Sequence, residues 1–159
     1  MNLEDMRNVA TVVAAGVALL VFIFNVRSQS RNREIENIAR FNEAHEKLFD
    51  ANSYLLKNYD VIEKGTLKRN LSDAASEAQF HLMLLEIEKL ALLANSGAVP
   101  RSTQVYMLGS YAPMIRKLMT ADESESMFWE VAREYLDDIA RDAERYKKMS
   151  VAERTRFWR

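Results

Sequence analysis

Residues 9–26, VATVVAAGVALLVFIFNV, carry no charge, and Thr11 and Asn25 are their notable polar groups. As a helix rising about 1.5 Å per residue the run is about 27 Å long, close to the ~30 Å hydrocarbon core of a bilayer. A cleavable signal has a shorter apolar region, with charge ahead of it and small residues behind it. Here the bulky Phe22, Ile23 and Phe24 lie near the end of the run, and Arg27, Arg31 and Arg33 follow. The segment therefore reads as a retained single-pass anchor. Arg7 on the amino side is offset by Glu4 and Asp5, so the positive-inside rule predicts an amino terminus outside and a main domain in the cytoplasm. Ala10, Ala14 and Ala18 form a small-xxx-small row on this helix, a surface on which a second membrane helix can pack closely.

The rest of the chain has few residues that interrupt helices. There are 4 Gly and 2 Pro in 159 residues, too little turn punctuation for an all-β fold, so long helices are expected. The absence of cysteine excludes disulfide frameworks, thiolate metal sites and cysteine nucleophiles, and it agrees with a reducing compartment. Beyond Val26 the basic and acidic side chains cancel. A neutral domain lacks the basic face that phosphate contacts require, so nucleic acid is not an expected partner.

With no Pro or Gly to break it, the membrane helix is expected to run on into a heptad-like seam through Ile38, Phe41, His45, Leu48, Asn52, Leu55 and Tyr59, ending near EKGTLKRN. A second helix begins near Ser72, with Asp73 at its amino end, and closes at Gly97. It is apolar on nearly every side between Phe80 and Ala94, which predicts the central, most buried element. Ser102 suits the cap of a third helix, in which Pro113 should force a kink or restart. TADESES is expected to cap a fourth helix with a seam of Phe128, Ala132, Tyr135, Ile139, Ala143 and Tyr146 and a strongly acidic outer face. The expected organisation is an anchor over residues 1–26, an all-α bundle of about four helices over 27–149, and a basic-aromatic tail over 150–159.

Candidate chemistry is sparse. The chain has no phosphate-binding loop, no nucleophile elbow and no HExxH, and its two imidazoles are His45 and His81. Glu77, His81 and Glu88 share a stripe of the second helix, a pattern that ligates metal in some bundles. Di-iron sites need two Glu-x-x-His motifs, however, and neither glutamate has a histidine at that spacing, so partly buried, satisfied polar groups are expected instead of a metal or other cofactor. Glu88 and Arg116 suit a buried carboxylate–guanidinium pair between adjacent helices, a structural device more often than a chemical one. His45 and Asn52, seven apart in the first seam, either fix register or sit wet at its margin. The tail residues Arg154, Arg156, Phe157, Trp158 and Arg159 suit an anionic membrane surface or an acidic partner, or else simply fray.

One apolar span, a basic juxtamembrane helix, and then LLEIEKLALLANSGAVP and YMLGSYAPMIRKL resemble the bacterial domain-of-unknown-function 4760 family over roughly residues 8–120. In that family an E-x-L-A helix ends at a glycine before a short polar turn. Glu88, Leu90, Ala91 and Gly97 match this pattern, and Arg116 matches a later basic position. The resemblance implies a bacterial inner-membrane protein and carries over no catalytic residue. Together these features predict a non-enzymatic, membrane-anchored interaction module or accessory subunit, with the lipid bilayer and either other membrane subunits or further copies of itself as partners. A ligand- or metal-binding bundle and a membrane-acting stress or defence effector are the alternative readings.

Overall fold

A computed structural model describes residues 3–157, apart from the side chains of residues 3–7, 9, 10, 12 and 63. The protein is all-α, 80% helix, with no strand among the described residues. Its first helix, α1, runs unbroken over Leu3–Leu48. The reason is local: Gly16 is the one glycine before Gly65, and no proline precedes Pro100.

Internal contacts divide the chain into a unit ending at Glu36 and a second beginning at Asn37. Within the first unit, α1 exposes its apolar side chains; Phe22 is 64% and Phe24 71% accessible. Val13–Leu48 is long and apolar enough to cross a membrane, and none of its most apolar window is buried. Ala14 and Ala18 are likewise exposed, whereas the Ala10 side chain lies outside the described residues.

In the second unit the end of α1 presents Phe41, Ala44 and Leu48 to the core at helical spacing. The predicted seam stops there. α1 ends at Leu48, turns follow, and Ser53 caps a short helix α2 (Tyr54–Lys57) by accepting from the Leu56 amide. α3 (Tyr59–Glu63) follows at once. Asn52 is therefore an exposed turn residue, and Leu55 reaches the core from a different helix. Three short polar residues within four positions, Asp50, Asn52 and Ser53, compete for backbone hydrogen bonds and override the apolar periodicity.

α4 spans Ala74–Asn95, capped by Asp73, whose carboxylate accepts from the Ala75 and Ser76 amides at 3.1 and 3.2 Å. It stops ahead of Gly97, which takes a left-handed φ of 76° that suits glycine. Phe80, Leu84, Ile87 and Leu90 of α4 are fully buried, but Leu82 and Leu92 remain exposed, so one side of this helix is uncovered. α5 (Arg101–Leu108) starts at Pro100 and takes Ser102 inside, where it caps nothing. The chain restarts at α6 (Ala112–Leu118), with Pro113 in its first turn as the missing amide requires.

TADESES is a separate element, not the cap of the last helix. Thr120 and Glu123 form a reciprocal capping box around α7 (Ala121–Glu125). A 3₁₀ turn (Met127–Trp129) then leads into α8 (Glu130–Lys148). The turn shifts the phase of the seam, so Trp129 is buried and Phe128 exposed, while Ala132, Tyr135, Ile139 and Ala143 enter the core as their spacing predicts. α4, α5 and α6 all pack closely on α8, which is the hub of the domain. Gly109 permits one of these approaches: a Cβ there would stand 3.0 Å from the Ala143 Cβ and 2.4 Å from the Val105 carbonyl oxygen. The tail is helical over α9 (Val151–Phe157), and the Phe157 ring meets Tyr146 at 5.4 Å.

Candidate functional site

Among the described residues, a dense polar cluster centres on Arg69, in the loop between α3 and α4. Its side chain is only 5% exposed, and its guanidinium stands 3.8 Å over the Phe80 ring. All five N–H groups are used. Nε donates to Glu77 Oε1 at 2.7 Å and Nη2 to Glu77 Oε2, a bidentate fork on the first turn of α4. Nη1 and Nη2 donate to Glu123 Oε2 and Oε1 at 2.5 and 2.7 Å, a second fork on α7, and Nη1 also reaches the Leu118 carbonyl at 3.2 Å. One buried cation therefore ties a loop, the start of α4, the end of α6 and α7 together.

Glu123 is the most constrained member. Burial pushes its carboxyl up, but hydrogen bonds from Arg69, the Thr120 amide and His81 outweigh that and hold it down at about 2. Burial likewise works against the Arg69 charge, and the bonds to Glu123 and Glu77 more than restore it. His81 Nε2 lies 2.7 Å from Glu123 Oε1 and 3.4 Å from Arg69 Nη2. An ionised carboxylate only accepts, so Nε2 carries the proton and donates to Glu123; its approach to Arg69 is then donor against donor. The imidazole stacks on Trp129 at 5.5 Å and 21°.

Glu77, His81 and Glu123 place one ligand atom each within 4.8 Å of one another, a spacing a metal ion could use. The Arg69 guanidinium occupies the same carboxylate oxygens, however, so an ion would have to displace a fully bonded cation. As built, the cluster is an ion-pair lock. Glu77 and His81 do share a stripe as the sequence suggests, but their third partner is Glu123, from a different helix, and Glu88 is not among them.

The expected Glu88–Arg116 pair does not form. α6 packs on α8, so Arg116 meets that helix instead: Nε lies 3.1 Å from Asp137 Oδ1, and Nη1 donates to Ser124 Oγ at 2.9 Å. Glu88 remains half-buried, and burial raises its carboxyl above the ordinary range. Arg101 does the same for α5, reaching Asp142 at 2.7 Å, so the acidic side of α8 is partly consumed in holding the shorter helices. His45 is partly buried, with Nε2 3.4 Å from the Met107 carbonyl and its ring 5.0 Å from Phe49; burial lowers its basicity. Neither contact joins it to Asn52. In the tail, Arg154 bonds the Met149 carbonyl at 3.2 Å and Arg156 is exposed, while Trp158 and Arg159 lie outside the described residues.

Sequence reasoning missed Arg69 and the reach of Glu123. Arg69 sits in KRN without a motif. Thr120-x-x-Glu123 is a legible capping box, but nothing local says that its carboxylate also receives a distant guanidinium. No family model matches the chain, and no curated protein or solved structure matches it either.

Proposed function

We propose that the chain is a membrane-anchored interaction module, held by a single span in the inner membrane of a bacterium with its helical domain in the cytoplasm. The carrying observation is the apolar stretch of α1, none of whose most apolar window is buried among the described residues. The core helix of a water-soluble protein with the same composition would be buried, as α4 is on its core face. Water offers no stable place for exposed Phe22 and Phe24 on a helix of this length; hydrocarbon does. The following arginines, Arg27, Arg31 and Arg33, are exposed and favour the cytoplasmic leaflet.

The domain's polar chemistry supports binding over catalysis. Its most buried charges are locked to one another and spent on holding helices in place. The domain then acts as a scaffold that offers a surface, whether to another membrane subunit or to a second copy through the Ala14–Ala18 side of α1. Alkaline carbonate extraction tests the anchor: the intact chain should remain in the membrane pellet, and a Leu20→Arg, Phe22→Arg variant should be released. Release of the unaltered chain, or its recovery without residues 1–26, overturns the reading.

A further inference from the structure

We propose that the outer side of α4 pairs with α4 of a second copy of the chain, the two helices running antiparallel across a two-fold axis. This deepens the reading of the chain as an anchored interaction module and rests on the anchor that brings copies together. Along that side Ala75, Ala78, Leu82, Leu85, Lys89 and Leu92 follow one another at alternating intervals of three and four, the spacing of a coiled-coil seam. Leu82 and Leu92 are each 61% exposed and the Lys89 side chain 56%; Ala75 and Ala78 are exposed as well, and Leu85 is half-buried. The residues that α4 buries, from Phe80 through Leu84 and Ile87 to Ala91, take the opposite side. A helix that is apolar all round belongs in an interior on every side. The fold of a single chain covers α4 on one.

The order of residues in the seam selects both the occupant and its direction. In a parallel pair each position meets its own copy, so Lys89 would face Lys89, like charges within the seam. In the antiparallel pair Leu82 faces Leu85 of the second copy, Ala75 faces Leu92, and Lys89 lays its aliphatic stem over Ala78. Each layer then sets a large side chain against a small one, or leucine against leucine, and the layers read the same from either end. A second copy supplies this complement by symmetry. The Lys89 charge asks nothing of the partner, because Nζ already donates to Glu86 Oε1 of its own helix at 2.6 Å. From Ala75 to Leu92 the seam is about 26 Å long, too short for the roughly 800 Å² per partner of a standard interface. The pairing is therefore weak between free copies, and confinement of both anchors to one bilayer supplies the effective concentration it needs. A two-fold axis crossing the helix pair at right angles lets both anchors run in the same direction.

Disulfide crosslinking of the full chain in native membranes tests the pairing, and the chain has no cysteine to interfere. Under copper–phenanthroline oxidation Leu82→Cys should crosslink to itself, because the two copies of position 82 stand about 5 Å apart along the pair. Ala75→Cys alone should stay monomeric, its two copies being offset by about 26 Å, yet it should form a mixed dimer when co-expressed with Leu92→Cys. Val151→Cys, at a position 75% exposed on α9, sets the level of chance collision. Adding Leu92→Asp to Leu82→Cys should lower the crosslinked fraction about fivefold or more, because a carboxylate buried without a partner is costly. The melting curve should not move, since Leu92 is at the surface of one copy. Crosslinking of Leu82→Cys no better than that of Val151→Cys overturns the proposal. So does crosslinking of Ala75→Cys by itself, or a yield that Leu92→Asp leaves intact. Carbonate extraction reads the anchor independently: a released chain fails the anchor, whereas a retained chain without this pattern fails the pairing alone.

Discussion

Replacing Arg69 with alanine is the sharpest test of how the helical domain holds together. The substitution removes five hydrogen bonds and leaves Glu77 and Glu123 facing each other across a partly buried gap. Stripping one partner from a buried ion pair costs about 3–5 kcal/mol, because the remaining charge is uncompensated. The cation over Phe80 is worth about another 1 kcal/mol. Against this, the His81 side chain is 43% exposed, so water can enter from its side and solvate Glu123 in part. The balance puts the loss at about 3–4 kcal/mol, or a melting temperature lower by about 12–16 °C at about 4 °C per kcal/mol for a domain of this size. Circular dichroism of the detergent-solubilised chain reads it directly. Adding Glu77→Gln and Glu123→Gln to Arg69→Ala should recover part of the loss, since no orphaned charge then remains. An Arg69→Ala protein within about 1 kcal/mol of the parent, or a triple variant no better than the single one, refutes the lock.

Two further outcomes follow from the same geometry. Glu123 is held at about 2 against an ordinary 4.5, so its contribution is complete above pH 4.5 and lost as pH falls toward 2. That contribution is about 3 kcal/mol, and urea titrations across this range should show the acid loss shrink in Glu123→Gln. Glu88 has no ion-pair partner among the described residues and a carboxyl raised by burial, so its charge opposes folding once pH rises through the ordinary carboxylate value. Glu88→Gln should therefore be neutral near pH 4 and stabilising by less than about 1 kcal/mol at pH 7; a marked loss would revive a buried pair with Arg116.

The elements that were legible in the sequence are those set by local chemistry. The uninterrupted α1, the Asp73 cap, the stop at Gly97 and the restart at Pro113 each follow from one or two residues acting on their own backbone. The failures lie where tertiary geometry decides. An apolar heptad pattern through Asn52 and Leu55 looks continuous on paper, yet Asp50, Asn52 and Ser53 end α1 at Leu48 and the pattern resumes on another helix. The 3₁₀ turn moves burial from Phe128 to Trp129, a one-residue shift that no periodicity announces. Pairing is hardest of all. Glu88 and Arg116 are plausible partners until α6 is seen to pack on α8, where Asp137 is closer at hand. The Arg69 cluster joins residues 8, 12 and 54 positions apart, and only the fold brings them together.

The account's central claim is that α1 crosses a membrane once and leaves the helical domain in the cytoplasm. The chain has no cysteine of its own, so single cysteines introduced at Asn8 and at the exposed Ser150 report without background. In intact cells with a permeabilised outer membrane, a maleimide that cannot cross the inner membrane should label Asn8→Cys at once. Ser150→Cys should label only after lysis. Labelling of Ser150→Cys in intact cells, or protection of both positions until lysis, would contradict the account.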